Sequence, residues 1–441
     1  DVDFLPTLVD VEAAMTSETL LYPDAGSNVV LDTTAVGIPE NTPVEEFFAD
    51  CDVVVTGRFM NQRVAPCPLE VRGSAAAWVD GRLHQWVSTQ HAQDIKGPIV
   101  AANGVDPDLV HIITPDVGGA FGAKIGTYPE EMLLGPIARD LGRPVTWRET
   151  RSESMMGLGH GRAQLQYVTI GGSRDGRVTH LQEHVIQDSG AFADVGTILP
   201  VAFGRPMTSA VYDIANIEMR VTSVVTNTTP TVPYRGAGRP EATAAAERAM
   251  DMFAAEVGLD PAEVRRINLI AKFSDGHTTS IGQTYDVGDF EGALDRALEA
   301  AGYTELRAEQ ARRRAAGDAK LLGIGVSVYV EITGGAGDMS EAGKIEVLDD
   351  GSALVYTGTS PHGQGHDTAW SMITTEQTGI AMDRITLFWG DTDLVPSGGG
   401  TMASRSLQQG GAAVNPAAVE LVDRARELAA RVLEADVADI V

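Results

Sequence analysis

Apolar and polar residues alternate along much of the chain, and the alternation changes period at places that mark its elements. From Asp52 the period is two: VVVTGRF, then SAAAWVDGRLHQWVST, predict strands, with a hairpin turn at Asp80-Gly81. A short apolar run over residues 110–114 predicts another strand. The loop PDVGGAFGAKIG follows, and then a helix over residues 128–141. That helix sets Met132, Leu133, Ile137 and Leu141 near one face and stops at Gly142, with Pro144 beyond. Residues 164–190 read as long strands joined at Arg174-Asp175-Gly176, and residues 217–226 as a further strand. At Pro240 the period becomes helical, with Ala242, Ala246, Met250 or Phe253, and Val257 on one face and Gly258 as the stop. Asp260-Pro261-Ala262-Glu263 then reads as a capping box for the next helix.

Residues 303–319 are rich in Arg, Glu and Lys and predict a solvated helix at a domain junction. A second strand-rich stretch opens with LLGIGVSVYVEITGG and continues through KIEVLDDGSALVYTGT and ITLFWGDTD. A helix is expected near residues 367–379, and a last one from near Asn415. Strands and helices interleave without a regular βαβ alternation, so the fold class is α+β, with two large mixed domains. The boundaries read as a remnant of a preceding unit at 1–22 (a strand and a short helix) and a turn-rich connector at 23–47. The first large domain follows at 48–302, a junction at 303–320, and the second domain, incomplete, at 321–441. The chain opens at Asp1 inside what reads as a strand and stops as a new apolar run begins, so a piece truncated at both ends is expected.

Composition narrows the function classes. The formal net charge is −28, with no basic block to offset it. Nucleic acid and anionic membranes are therefore poor partners. No apolar run approaches the length of a membrane span, and a cytoplasmic protein is expected. The two cysteines, Cys51 and Cys67, are too few for an iron–sulfur cluster or a Cys-rich zinc site.

Glycine-rich loops are the remaining candidates for chemistry, at residues 118–124, 235–239, 363–365 and 398–406. Familiar nucleotide motifs fail in them. Ala123 precedes Lys124 and Ile125 follows it, so the phosphate-loop pattern is broken, and Glu241 stands where a dinucleotide fingerprint needs its third glycine. His362 and His366 are four apart, but Gly363 and Gly365 lie between them, a weak case for metal. Ser404, His366 and Asp391 could be written as a triad, but no Gly-x-Ser-x-Gly elbow supports it. What remains is a set of flexible backbone loops suited to an anionic, hydrogen-bond-rich ligand.

Five segments taken together carry more: VGGAFGAKIG, TNTTPTVPYRGAGRPEA, ERAMDMFAAEVGLDPAEVRRINLI, TGTSPHGQGHDT and GDTDLVPSGGGTMASRS. In this order they resemble the molybdopterin-binding large subunit of the xanthine dehydrogenase/aldehyde oxidase family, which includes aerobic carbon monoxide dehydrogenases. The resemblance covers nearly the whole chain and implies two molybdopterin-binding domains after a hammerhead-type α/β domain. It implies molybdenum held by molybdopterin cytosine dinucleotide, with no metal ligand from the protein. It also implies a dimer of heterotrimers, in which an iron–sulfur small subunit carries [2Fe-2S] clusters and a medium subunit binds FAD.

Residue by residue, the resemblance assigns Gln90 and Arg235 to the catalytic end. Gln90 matches a glutamine beside the molybdenum, and Arg235 an arginine of the active-site loop, followed by Gly236. Gly119, Ala120, Phe121 and Gly122 match the loop along the metal end of the cofactor. Gln364, Gly365 and His366 match a segment on the dinucleotide, and Ala403, Ser404, Arg405 and Ser406 a further cofactor loop. Copper-using carbon monoxide dehydrogenases have a cysteine where Gly236 stands, and purine oxidisers a glutamate where Ile125 stands. The implied reaction is therefore hydroxylation of an aldehyde or N-heterocycle with oxygen from water, the electrons leaving through the partner subunits. The family's general base, a glutamate in a Gly-x-Gly-Glu segment, would lie beyond the end of this chain. Two alternatives stay open: a carbon monoxide dehydrogenase-like enzyme of the glycine-loop type, and a non-catalytic pterin- or nucleotide-binding protein.

Overall fold

The computed structural model describes residues 5–334 and 340–440. The chain divides into two compact units, each assembled from two stretches of sequence: Asp1–Val64 with His160–Glu331, and Ala65–Gly159 with Ile332–Val441.

The first unit is built on a five-stranded sheet in the order Val29–Asp32, Asn216–Val225, Val178–Gly190, Gln164–Gly172, Val53–Asn61. All neighbours are antiparallel except Val178–Gly190 with Asn216–Val225. The helix Arg239–Val257 packs on this sheet through Ala242, Ala245, Ala246, Ala249, Met250 and Phe253, the face its apolar period predicts. Its start is fixed by Glu241, whose carboxylate accepts the Gly238 N–H at 2.9 Å, and its end by Gly258 at φ 74°.

Several expectations for this unit are corrected. The connector expected at 23–47 contains the edge strand Val29–Asp32. Of the N-terminal strand and helix, only the helix Val11–Thr16 forms. Residues 5–10 make no strand, and residues 1–4 lie outside the described residues. Asp260 caps its helix alone, at Ala262 N–H, while Glu263 pairs with Arg266 instead of closing a capping box. Residues 321–334 alternate in burial as a strand would but form none, since no strand among the described residues pairs with them. The Val328 N–H goes to the Glu247 carboxylate at 3.0 Å. The rest of that expected strand, at residue 335, lies outside the described residues.

In the second unit the hairpin forms as predicted, with Gly73–Val79 and Arg82–Val87 joined at Asp80-Gly81, both at positive φ. Val110–Ile113 and Val145–Arg148 flank it in a four-stranded sheet. The helices Ala92–Asn103 and Pro129–Leu141 cover one face of this sheet, where their Ile95, Ile99 and Leu134 pack with Ala76, Leu83 and Ile112 of the strands. The first of these helices is masked in the sequence by its internal Gly97 and Pro98. The second presents the opposite face from the one its large apolar residues suggest. Glu131, Leu134, Gly135 and Ala138 are buried, while Leu133, Ile137 and Leu141 are exposed. Close approach explains this: a Cβ on Gly135 would lie 2.6 Å from Asn103 Nδ2, and Trp78 Nε1 donates to Gly135 O at 2.9 Å. A three-stranded sheet, Gly343–Val347, Ala353–Thr357 and Ile385–Phe388, carries the helices His366–Thr378 and Gly411–Leu433.

One buried acid in the first unit has a measurable consequence. Glu183, on the strand Val178–Gly190, is 2% exposed, and its Oε1 has no hydrogen-bond partner among the described residues. Burial pushes its carboxyl up to about 8. Between the ordinary carboxylate range and that value, the native state holds a proton that the unfolded chain releases. Stability must therefore fall as pH rises, by up to ~1.4 kcal/mol per unit. Glu183→Gln removes this slope. Melting curves from pH 5 to pH 8 should show the variant gaining steadily on the wild type, and parallel curves would refute the assignment.

Candidate cofactor site

The loop at residues 118–124 is fastened from below by an ion pair between buried Lys124 and half-buried Glu70. Lys124 is 1% exposed. Its Nζ donates to Glu70 O at 3.0 Å, Glu70 Oε2 at 2.8 Å and Ser88 Oγ at 2.9 Å, so every N–H has an acceptor. Burial alone would raise the Glu70 carboxyl, but Lys124, Ser88 and the Gly118 N–H hold it below the usual range. That Gly118 contact is 2.9 Å, and Glu70 N–H returns a bond to Gly118 O at 3.1 Å. The fit is close, since a Cβ on Gly118 would lie 2.6 Å from Glu70 Cβ. Beyond this anchor the loop turns sharply. Phe121 sits at φ 58° with its ring 41% exposed. A left-handed aromatic residue persists only where its surroundings hold it.

Gln90 ties two loops together. Its backbone N–H donates to Lys124 O at 2.8 Å. Its side-chain Oε1 accepts the Gly122 N–H at 2.8 Å, and its Nε2 donates to Thr401 O at 2.7 Å. These two bonds fix which end of the amide is which. One Nε2 hydrogen is left, so Gln90 can offer a donor at this position.

Residues 359–366 join the same unit. Thr401 Oγ1 donates to Ser360 O at 2.6 Å, and the His362 N–H bonds the Gln364 side chain. Gly365 caps the thirteen-residue helix His366–Thr378 in a left-handed turn and supplies no side-chain acceptor. The first-turn N–H groups are therefore directed at whatever lies beyond the helix end. Cβ atoms on Gly363 or Gly365 would meet nothing within 4 Å. His366 is buried, and its Nδ1 has no protein partner among the described residues. Burial lowers its imidazole, and burial with the neighbouring His366 and Lys124 takes His362 down to about 4. Both rings are neutral at pH 7. Asp367, in the same first turn, is raised by burial and by Asp116.

In the segment at 403–406, Ala403 and Ser404 are both left-handed, at φ 53° and 56°. Arg405 is fully buried. Its guanidinium bonds Glu341 Oε2 at 3.0 Å and Gly399 O at 2.9 Å. The Gly399 N–H donates to the same Glu341 oxygen at 3.2 Å. Arg405 thus braces the glycine run at 398–400, and its charge is matched within the protein.

Arg235 and Gly236 belong to the first unit. The Arg235 side chain is exposed and makes no hydrogen bond or ion pair among the described residues, while its carbonyl accepts from Arg162 at 2.7 Å. Arg162 also reaches Tyr234 O and Glu241, each at 3.2 Å, and lies over the Tyr234 ring. Arg239 is buried against the Phe203 ring and donates to Gly236 O at 3.0 Å. Gly236 is at φ 96°, and a Cβ there would overlap the Pro240 ring, 2.6 Å from Cδ. Arginines on either side hold this turn while Arg235 stays free.

Two family profiles match consecutive stretches of the chain, and the first of them runs through both compact units. Molybdopterin cofactor-binding domain profiles match residues 21–269 and 296–441. This chain belongs to the molybdopterin-binding large-subunit family of xanthine dehydrogenase and carbon monoxide dehydrogenase. It is 34% identical over 422 residues to the carbon monoxide dehydrogenase large chain of Hydrogenophaga pseudoflava, covering 92% of this chain and 52% of that one. With the nicotine 6-hydroxylase large subunit of Paenarthrobacter nicotinovorans it shares 32% over 413 residues, covering 90% and 50%. The crystal structure of quinoline 2-oxidoreductase from Pseudomonas putida 86 superposes with a TM-score of 0.91 at 29% identity, covering all of this chain and 57% of that one. The chain spans about half the length of the curated relatives it matches.

In the second unit, then, the fold brings together Gln90, Gly119, Ala120, Phe121, Gly122, Gln364, Gly365, His366, Ala403, Ser404, Arg405 and Ser406. Sequence reasoning missed their supports: Glu70, Ser88, Thr401 and Glu341. Lys124 is visible in the sequence, but only as the lysine of a phosphate-loop pattern that Ala123 and Ile125 break. Among the described residues no group of three or more His, Cys, Asp or Glu side chains could hold a metal ion, and no helix is long and apolar enough to cross a membrane.

Proposed function

We propose that this chain is the cofactor-binding part of a molybdenum hydroxylase that oxidises an aldehyde or N-heterocycle. The observation that carries the reading is the hydrogen-bonded weave of the second unit, where Gln90 links the loops at 118–122 and 398–406. The donor set suits a pterin dinucleotide. The helix N-terminus at Gly365 favours a diphosphate. The orphaned Nδ1 of His366 can accept a hydrogen bond from a hydroxyl or N–H of the ligand, and the glycines at 363 and 365 leave room for it. Beside the helix start, a cavity of about 440 Å³ lined by Asp367, Thr368, Ser371 and Trp389 can take a pyrimidine nucleoside. When bound, the cofactor would supply the two-electron redox chemistry. The protein's part is to orient it: Gln90 offers one N–H at the metal end, while a role for exposed Arg235 toward substrate rests on the family resemblance.

Gly236 favours this reading over a copper-containing carbon monoxide dehydrogenase. The position has neither a thiol nor room for a side chain while Pro240 stands beside it. By its family the enzyme would work with an iron–sulfur subunit and an FAD subunit, and Ile125, where purine oxidisers have a glutamate, argues against xanthine as its substrate. The test is analytical. The full-length complex, purified after maturation in a host that makes the cofactor, should contain about one molybdenum per large subunit and release CMP with its pterin. Turnover should appear with aldehydes or N-heterocycles under an artificial electron acceptor. Matured protein lacking both molybdenum and pterin overturns the proposal.

A further inference from the structure

We propose that Lys124 is a positioning residue for the metal end of the site, acting through Glu70 on one side and Gln90 on the other. The inference rests on the cofactor reading above.

One residue holds both flanks of the loop. Through its side chain Lys124 fixes the Glu70 carboxylate, which holds the Gly118 N–H where the loop begins. Through its own carbonyl it accepts the Gln90 N–H at 2.8 Å and the Thr89 hydroxyl at 3.0 Å. Gln90 in turn holds Gly122, four residues beyond Gly118. The loop that carries exposed, left-handed Phe121 is thus held at its start by the buried ammonium, through Glu70, and at its end by the Lys124 backbone carbonyl, through Gln90. Ser88 completes the cluster by donating to Glu70 Oε2 at 2.7 Å. The ammonium is too deep to touch a ligand, so its effect must pass through the groups it orients.

A lysine kept only for stability would be a poor choice here. Burying an ammonium is costly, and because Glu70 is 37% exposed its carboxylate stays within reach of water when an apolar side chain of similar length stands at 124. What an apolar residue cannot do is hold a carboxylate in one rotamer under a backbone N–H. The position therefore sets geometry and adds little to stability.

The experiment uses the complete holoenzyme with an accepted substrate. Lys124→Met should keep wild-type molybdenum and pterin content and melt within about 3 °C of wild type. Its kcat should fall about 10- to 100-fold while KM moves less than twofold, and the Mo(V) EPR signal of the reduced enzyme should shift. Combined with Gln90→Ala, it should add less than a twofold further loss in kcat, since each variant frees one end of the same loop at residues 118–122. Wild-type kcat at full loading, or losses that multiply in the double variant, overturn the proposal. A parallel collapse of melting temperature and activity in Lys124→Met moves the decision to Ser88→Ala, which keeps the ion pair and removes one acceptor. Ser88→Ala should lower kcat about 2- to 5-fold, with no further loss on Gln90→Ala, and failure of that pattern overturns the proposal. A fully loaded wild type with a normal Lys124→Met refutes this inference alone, whereas a wild type without molybdenum refutes the reading beneath it.

Discussion

Arg235→Ala in the complete enzyme should lower kcat/KM by about 100-fold or more while shifting Tm by less than about 2 °C. The separation of the two effects follows from the geometry. The side chain is exposed and has no partner among the described residues, so its removal breaks no bond of the fold. The turn around it is held by other groups: Arg162 on the carbonyls of Tyr234 and Arg235, Arg239 on the carbonyl of Gly236, and Glu241 on the Gly238 N–H. Steady-state kinetics with calorimetry on the same preparation decide the matter. Full turnover with a collapsed Tm would show a structural arginine instead.

Glu341→Ala should produce the opposite signature, a loss of stability of about 3–5 kcal/mol, because it leaves the fully buried Arg405 guanidinium without its counter-charge. For a unit of this size that means a Tm lower by roughly 10 °C. Glu341 is also the acceptor for Gly399 N–H, so the run at 398–400 should loosen and molybdenum content should drop with it. Replacing both partners, Glu341→Leu with Arg405→Met, should restore much of the melting temperature without restoring the loop. Calorimetry and metal analysis on the two variants check both statements. Equal stability of Glu341→Ala and wild type would mean that Arg405 finds another partner.

These two arginines show where sequence reading succeeds and where it stops. Both stood out as charged residues in glycine-rich segments, and the resemblance gave both a cofactor or catalytic role. Only the structure separates them, since the difference is Glu341, sixty-odd positions away from Arg405 and unremarkable in the chain. The same limit applies to Lys124, whose acceptors on Glu70 and Ser88 come from a different stretch of sequence. Local signals fared better. The Asp80-Gly81 hairpin and the helix ending at Gly258 were legible because turn chemistry and helical period act within a few residues. The helix Pro129–Leu141 was found but turned the wrong way, because burial there is set by how closely Gly135 lets Asn103 approach. The interleaving of the two units has no local signal at all: each draws its sheets and loops from stretches separated by more than ninety residues.

The Gly236–Pro240 contact bears on how loops of this kind can change their chemistry. A cysteine at 236 would place its Cβ inside the proline ring and would need a backbone angle that side chains avoid. Acquiring a thiol here is therefore not a single mutational step. Position 240 has to change first, and that first change brings no new reactivity of its own. The proline acts as a ratchet that keeps neighbouring sequence space out of reach.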